Sequence, residues 1–178
     1  MKIRIIGNSG SGKTTVARKL SEHFSIPVLH MDSIAFIPNS DFVLKDKDIM
    51  RTEISKFVTV NNKWIIEGNY TSTIGAVYNV PDVVIFIDLP VEQSLFNFEN
   101  RHNKFKGKSR PEHPNLIETD KQGMIDWISS YPERRNILTD YILQEQMQNP
   151  LVNILHIEDM GEVKAICNNP HLIEGFFE

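Results

Sequence analysis

The chain has 178 residues, of which 40% are hydrophobic and 24% are charged, and its formal net charge is −4. This length and balance are typical of one globular domain with its own apolar core, so we interpret residues 1–178 as a single domain. The net charge argues against a broad nucleic-acid-binding face, and the one cysteine, Cys167, excludes an internal disulfide.

We expect a soluble, cytoplasmic protein with no membrane partner. No apolar run approaches the roughly 20 residues that a membrane-spanning helix needs. The first predicted strand begins at Ile3 with no apolar leader before it, so we expect no signal peptide. A single cysteine is compatible with a reducing cytosol, and we interpret Cys167 as a small apolar filler.

A phosphate-binding loop follows the first predicted strand. The run Ile3-Arg4-Ile5-Ile6 is short, apolar and β-branched, as a buried strand should be. The next eight residues, Gly7-Asn8-Ser9-Gly10-Ser11-Gly12-Lys13-Thr14, match G-x-x-x-x-G-K-[ST]. Val16, Leu20 and Phe24 then recur with helical spacing. Strand, loop and helix therefore come in the order that this motif requires.

The residue types of this loop explain its expected ligands, ATP and Mg²⁺. Glycines allow several backbone N–H groups to face phosphate oxygens, and the helix dipole adds positive potential. Lys13 reaches the β- and γ-phosphates, the Thr14 hydroxyl ligates Mg²⁺, and Thr15 is expected to face the helix interior. We assign the cofactor site to Gly7, Asn8, Ser9, Gly10, Ser11, Gly12, Lys13, Thr14 and Thr15.

Two further strands place acidic residues at the same predicted edge. Ile26–His30 is the second predicted strand and leads to Asp32. A loop is predicted over Phe36–Asp41, and a helix then begins between residues 45 and 48. Trp64–Ile66 is the third strand and ends at Glu67.

The remaining elements complete the α/β pattern. Val83–Ile87 is a fourth strand, continuous and apolar, and Leu151–Ile157 is a fifth. Helical patterns follow both, and the last helix, from Glu162, is interrupted at Pro170. Pro132 is expected to break or offset a long helical stretch, because the residue before a proline avoids helical geometry. Alternating strands and helices predict a five-stranded parallel sheet with helices on both faces, as in a P-loop NTPase.

Three carboxylates are candidates for the chemistry at the sheet edge. Asp32, Glu67 and Asp88 each follow a predicted strand, where open α/β sheets bind ligands. One such group would help Thr14 to hold Mg²⁺, and another would orient or deprotonate an acceptor. The alternative for each is a helix cap or a solvated loop position. Tyr70 either lines an acceptor pocket or packs under the loop.

A basic insert interrupts the helical pattern between residues 101 and 116. Five of the 19 Lys and Arg residues lie in its first ten positions, mixed with Gly107, Pro111 and Pro114, which predict irregular structure. We interpret it as a short lid whose cations neutralise phosphates. A nucleic-acid contact and a solvated face remain alternatives. Arg134 and Arg135, beyond the insert, are candidates for closing onto phosphate charge.

The sequence resembles a known family over nearly its whole length. In order, the segments that carry the resemblance are Gly7–Thr14, His30–Asp32, Trp64–Tyr70, Val84–Pro90, Gly107–Pro111 and Tyr131-Pro132 with the arginines after it. Together they resemble the bacterial topology modulation protein group of adenylate-kinase-like P-loop proteins. The Glu-Gly-Asn-Tyr and Gly-Lys-Ser-Arg-Pro elements distinguish this group from other phosphate-loop proteins.

This resemblance implies a nucleoside-monophosphate-kinase-like fold with a short lid. By position, Glu67 resembles the acidic residue that helps to hold Mg²⁺ through water, and Asp32 resembles an acidic residue near the acceptor. Arg101 and either Arg134 or Arg135 resemble arginines that contact phosphates. The chain lacks the Asp-Gly-Phe-Pro-Arg motif of adenylate kinases, whose arginine contacts the acceptor phosphate, and the lid lacks zinc-binding cysteines.

The leading hypothesis from the sequence is an ATP- and Mg²⁺-dependent kinase that acts on a small molecule, such as a nucleotide or nucleoside. In this hypothesis Lys13, Asp32, Arg101, Arg134 and Arg135 are catalytic, and Thr14 and Glu67 hold the metal. The alternative is an ATP-binding regulator with slow hydrolysis, motivated by the missing acceptor arginine. Direct DNA binding through residues 101–110 is the least favoured alternative, because the net charge is negative. The residues do not predict an oligomeric state.

Overall fold

The structure is a computed structural model that describes residues 1–37, 43–74, 81–117 and 120–177. Within these ranges the strands are β1 (Lys2–Gly7), β2 (Val28–His30), β3 (Trp64–Glu67), β4 (Val83–Ile87), β5 (Ser109–Arg110), β6 (His113–Ile117) and β7 (Asn153–Ile157). The α-helices are α1 (Lys13–Phe24), α2 (Met31–Ala35), α3 (Lys47–Val60), α4 (Thr71–Ile74), α5 (Val91–Phe105), α6 (Lys121–Ser129), α7 (Tyr131–Gln148) and α8 (Met160–Asn168). A 3-10 helix, Pro170–Phe176, follows α8.

Five strands form the parallel sheet that the sequence predicts. Their order is β2-β3-β1-β4-β7, and all four neighbouring pairs are parallel. Because β1 lies between β3 and β4, the chain leaves it at the centre of the carboxyl edge. β3 and β2 lie on one side of β1, and β4 and β7 lie on the other. The direction in which strands are added to the sheet therefore reverses at β1, and such a reversal opens a crevice for ligands at the carboxyl edge.

Helices cover both faces of the sheet, as predicted. On one face Ile5 packs with Leu20 of α1 and Val163 of α8. On the other face Phe86 packs with Leu138 of α7. These side chains are at most 3% exposed, and burial of each contributes roughly 1.5–3 kcal/mol to stability. The packing holds the loop after β1 between rigid elements.

Two strands are shorter than predicted at their amino ends. β2 begins at Val28 because the Ile26 N–H bonds to Ser21 O, at the end of α1. Pro27 precedes the strand, but its carbonyl still accepts a hydrogen bond from the Ile65 N–H. β7 begins at Asn153 because Val152 donates to the Asn149 carbonyl in a turn.

The prediction of irregular structure across the basic insert is wrong over much of its length. α5 continues through Arg101 to Phe105, and Gly107 turns the chain with a φ of 70°. β5 and β6 then form an antiparallel hairpin. The prolines are compatible with this hairpin because a two-stranded ribbon leaves edge positions where a missing N–H is tolerated. We call residues 109–117 the hairpin.

Other predicted boundaries agree with the structure. α3 begins after Asp46, whose side chain caps the helix by accepting from the Asp48 N–H. α6 ends before Pro132, which lies in the first turn of α7 where its missing N–H is tolerated. The loop predicted over Phe36–Asp41 falls mostly on residues 38–42, which lie outside the described residues.

Two findings bear on the compositional expectations. Cys167, near the end of α8, is a free thiol that packs, partly buried, against the core. In the described part of the chain, no helix combines the length and the apolar character that crossing a membrane demands.

Candidate functional site

The loop between β1 and α1 is shaped by two glycines that no other residue could replace without a clash. Gly7 has a φ of 148°, and a Cβ there would lie 2.1 Å from the Ile87 carbonyl oxygen. Gly10 has a φ of 80°, and its Cβ would lie 2.2 Å from the Ser94 carbonyl oxygen. The loop is therefore pressed against the end of β4 and the start of α5. Its N–H groups lead into α1, whose first turn has no intrahelical partners for them.

Lys13 lies half-buried at the start of α1 and folds back over the loop. Its Nζ donates to the Gly7 carbonyl at 3.0 Å and to the Asn8 carbonyl at 2.8 Å. Burial lowers the pKa of Lys13, and the carboxylates of Glu67 and Asp32 partly oppose that shift. Both carboxylates are thus close enough to act on the charge of this lysine. A phosphate group beside the loop would offer the ammonium a stronger partner than two carbonyls.

Glu67 connects the loop to the end of β3. Its Oε1 accepts a hydrogen bond from Thr14 Oγ1 at 3.1 Å and lies 2.8 Å from His30 Nδ1. Burial opposes ionisation of this carboxyl, but the His30 hydrogen bond and the Lys13 charge prevail and hold its pKa below the ordinary value. Glu67 is therefore an ionised carboxylate inside the protein.

The Thr14 hydroxyl and the Glu67 carboxylate are hard oxygen donors, the type that Mg²⁺ prefers in proteins. They lie 3.1 Å apart, so one small cation can contact both. Phosphate oxygens and water would supply the other ligands of the metal. The residues expected to hold Mg²⁺ are thus present together and fit such a group.

The Asn69 side chain holds the start of the loop by bonding both the N–H and the carbonyl of Gly7. Its Oδ1 accepts from the Gly7 N–H at 3.0 Å, and its Nδ2 donates to the Gly7 carbonyl at 2.7 Å. The side chain thus imitates a neighbouring β-strand and continues the β1–β3 pairing beyond the end of β3. Sequence reasoning named Asn69 only as part of the resemblance and gave it no role.

Asn97 and Arg4 are two further supports that the sequence did not reveal. Asn97, on α5, donates from Nδ2 to the Gly10 carbonyl at 2.9 Å. Arg4 is fully buried in β1, and its guanidinium donates to the Ile66 carbonyl at 3.0 Å and to the Gly68 carbonyl. A charged residue inside an apolar strand was the only available signal for Arg4. These contacts fix the turn that carries Glu67 and Asn69.

A second polar group lies on α2. Asp32 is in the first turn of this helix, and its Oδ1 accepts a hydrogen bond from the Tyr70 hydroxyl at 2.8 Å. Burial and the Asp32 charge both raise the pKa of Tyr70, so the phenol stays protonated and donates. Tyr70 therefore lines the cavity in contact with Asp32 and also packs against the core cluster that contains Ile66 and Ile74.

One cavity of about 850 Å³ connects these groups. Loop residues contribute Ser9, Gly10, Gly12, Lys13, Thr14 and Thr15 to its lining. Residues from other elements include Asp32, Phe36, Glu67, Tyr70, Asn97, Arg101, Lys104, Arg110, Glu112, Trp127, Met160 and Val163. The volume is in the range of known ligand pockets, roughly 300–1,000 Å³. Residues predicted from distant parts of the sequence thus meet around one space.

Four of the loop assignments differ from the expectation. Gly7, Asn8 and Ser11 do not line the cavity, because they lie behind the lining residues and face β4, α6 and the core. Asn8, for example, donates to the Ile128 carbonyl at 3.1 Å. Thr15 was expected to face the helix interior, but it is exposed and lines the cavity. The following two residues occupy the buried face of α1 instead.

Arg101 lies on α5 and lines the cavity, together with Lys104 and Arg110. Its guanidinium carbon is 5.3 Å from the centre of the Phe98 ring. Lys106 and Lys108 are exposed and do not line the cavity. Part of the basic insert therefore faces the site, and part is a solvated surface.

The catalytic assignment of Arg134 and Arg135 does not agree with the structure, which places neither in the cavity lining. Arg134 donates to the Trp127 carbonyl and stacks 3.5 Å from the centre of the Trp127 ring. Arg135 donates from Nε to Asp88 Oδ2 at 2.7 Å. Both guanidinium groups are engaged by neighbours at the start of α7.

Both carboxylate oxygens of Asp88 are already bonded to neighbouring side chains, so we do not assign this residue a role in the reaction. Tyr131 donates to its Oδ1 at 2.8 Å, while Arg135 and His156 contact its Oδ2. Burial opposes ionisation, but the hydrogen bond from Arg135 and then those from Tyr131 and His156 hold its pKa below the ordinary value. Asp88 fastens α7 to β7, and it does not line the cavity.

No family model and no curated protein matches the chain. Among solved structures, its fold is similar to an uncharacterized protein from Eubacterium ventriosum, with a TM-score of 0.49. The two chains are 16% identical, and the match covers 96% of this chain and 97% of that chain. The description of that protein mentions neither an activity nor a ligand.

Proposed function

We propose that this protein is an ATP- and Mg²⁺-dependent phosphotransferase that acts on a small molecule. The observation that carries the proposal is the bond between Thr14 Oγ1 and the ionised Glu67, beside Lys13 and inside a cavity that also contains Asp32. A loop that only turned the chain would need no lysine folded back over it and no buried carboxylate at its mouth. The proposed location is the cytoplasm, where ATP is abundant.

The donor phosphates would lie along the loop and the first turn of α1. Lys13 exchanges the carbonyls of Gly7 and Asn8 for phosphate oxygens, which bind its ammonium more strongly. Thr14 and Glu67 would hold Mg²⁺, which neutralises charge on the phosphates as they transfer. His30, at 2.8 Å, keeps the Glu67 carboxylate ionised and oriented for this role.

The acceptor would lie next to Asp32, on the side of the cavity lined by Phe36 and Tyr70. The Tyr70 hydroxyl donates to Asp32 Oδ1, and Oδ2, which has two acceptor positions, can accept the proton of an acceptor hydroxyl. Arg101 and Arg110 bring positive charge to the same space and would stabilise the transferring phosphoryl group.

The proposal is tested by ATP consumption in the presence of Mg²⁺ across a panel of nucleosides, nucleoside monophosphates and small alcohols. We expect one class of acceptor to raise turnover well above the background hydrolysis, and Lys13→Ala to abolish that turnover. Lys19→Ala is a matched control, because Lys19 also lies on α1 but is outside the cavity lining and is paired with Glu22. Tight ATP binding with background turnover throughout would replace the kinase with a nucleotide-controlled regulator.

A further inference from the structure

The hairpin carries a buried histidine whose polar atoms have no partner among the described residues. His113 begins β6 and is 1% exposed. Neither ring nitrogen makes a hydrogen bond within the described part of the chain. Buried polar groups are nearly always paired, so an unpaired one in a folded protein requires an explanation.

The nearest carboxylate to this ring is the proposed acceptor-side group. His113 Nε2 lies 4.0 Å from Asp32 Oδ2, whereas an N–H···O bond needs roughly 2.7–3.2 Å. A movement of about 1 Å would therefore form the bond. The other oxygen, Asp32 Oδ1, is already held by Tyr70 at 2.8 Å. β6 packs directly on α2, so the two elements can make this adjustment together.

Two other side chains of the hairpin line the cavity, although His113 itself does not. Arg110 and Glu112 line it, while the His113 ring lies 5.7 Å from the His30 ring and is closed off from solvent. Arg110 pairs with His113 in the hairpin register. Phosphate charge in the cavity would attract the Arg110 guanidinium, and any displacement of Arg110 would be transmitted to His113 through the paired strands.

The surroundings of His113 favour a neutral imidazole ring, which can still donate one hydrogen bond. Burial and the neighbouring Arg110 charge lower its pKa, and the carboxylates of Asp32 and Glu67 oppose this only partly. A neutral imidazole has one N–H, which would donate from Nε2, and it keeps that proton while Asp32 acts as the base.

We propose that nucleotide phosphates in the cavity draw the hairpin inward through Arg110, and that His113 then donates a hydrogen bond to Asp32 and holds this carboxylate for the acceptor. His113 is thus a positioning residue that links the hairpin to the acceptor side of the site. The inference rests on the proposed function. It adds a reason why Asp32 would activate the acceptor only after the phosphate donor, ATP, has bound.

The test follows the ring nitrogens of histidine by NMR in the full-length, ¹⁵N-histidine-labelled protein. The probe is the non-hydrolysable ATP analogue AMPPNP with Mg²⁺, and its binding is measured separately by calorimetry. His113→Gln assigns the His113 signals by their disappearance. His23 and His171, which contact each other away from the cavity, serve as internal controls.

We expect saturating nucleotide to change the Nε2 signal of His113 in the wild type and to leave it unchanged in Asp32→Ala. Because the ring is closed off from the cavity, that change reports the bond to Asp32 rather than contact with the ligand. Nucleotide binding with no change at His113 would overturn this inference alone. A failure to bind nucleotide would overturn the proposed function, and this inference with it.

Two substitutions separate positioning from a structural role. His113→Leu fills the buried site without a donor, and removal of an unpaired polar group should leave the melting temperature unchanged or raised. His113→Gln keeps a donor near the Nε2 position. With an acceptor that raises turnover, we expect Leu to lower kcat roughly tenfold, as loss of a carboxylate-orienting bond does, and Gln to restore much of it. Equal kcat in the Leu variant and the wild type would contradict the positioning role.

Discussion

Asn69 allows the sharpest test of how the loop is held ready for phosphate. Asn69→Ala removes both hydrogen bonds to Gly7, at 3.0 and 2.7 Å. Each contributes about 0.5–1.5 kcal/mol, so the loss amounts to about 1–3 kcal/mol. If it is expressed entirely in binding, the ATP dissociation constant rises roughly 5- to 150-fold.

Asn69→Asp is a second substitution at this position, and its effect should be larger than that of alanine. An aspartate keeps the acceptor for the Gly7 N–H. Its second oxygen, however, would replace the Asn69 Nδ2 donor, which lies 2.7 Å from the Gly7 carbonyl oxygen, and the two oxygens would repel each other. Its charge would also compete with phosphate for Lys13, which contacts the same carbonyl at 3.0 Å. The expected order of affinity for ATP is therefore wild type, then alanine, then aspartate.

Calorimetric titration with ATP and Mg²⁺ measures this order, and thermal unfolding shows how much of the loss falls on stability instead. Asn61→Ala is the control, because it removes one side-chain bond to the Phe57 carbonyl at the end of α3. It should change stability slightly and affinity not at all. An Asn69→Asp variant that binds ATP as tightly as the wild type would refute the role assigned to this side chain.

Three further outcomes are expected. The folded-state pKa of Glu67 lies below the ordinary value of 4.5, so its ionisation stabilises the protein above that pH, and this contribution is lost as the pH falls through the lowered pKa. The melting temperatures of wild type and Glu67→Gln should therefore converge on acidification. A difference in melting temperature that stays constant with pH would contradict the assignment. Arg101→Ala should weaken ATP binding roughly tenfold, while Arg135→Ala, which removes a contact to Asp88 outside the cavity, should leave it unchanged; equal effects in titration would count against the cavity assignment. Tyr70→Phe frees Asp32 Oδ1 and should lower kcat several-fold without changing the ATP dissociation constant, and steady-state kinetics would expose the reverse pattern.

The glycine-rich loop and the main sheet strands could be predicted because their signals are local. The apolar runs ending at Gly7 and Glu67 have the length and composition of buried strands, and the glycine spacing between Gly7 and Thr14 is itself the chemical requirement. Parallel strands share one carboxyl edge, so residues that follow them in the sequence meet in space. This reasoning brought Asp32, Glu67 and Lys13 to one site without knowledge of any distance.

The assignment of Arg134 and Arg135 shows where local signals stop. Two adjacent arginines near a lid are available to phosphate only if nothing closer binds them. Here the carbonyl and ring of Trp127 bind one, and Asp88, whose own partners come from α7 and β7, binds the other. A guanidinium takes the partner that the fold places beside it, and that partner is distant in the sequence.

By itself, the sequence determined the order of the five sheet strands along the chain and the glycine-rich loop after the first of them, because each depends on residues within a few positions of one another. Only the tertiary structure decided which side chains support the carboxyl edge of the sheet. Asn69 clamps Gly7 across 62 positions, and His113 reaches Asp32 from a hairpin that composition predicts as irregular. Hydrogen bonds act over about 3 Å of space, and sequence patterns do not record which distant residues the packing of a core brings within that range.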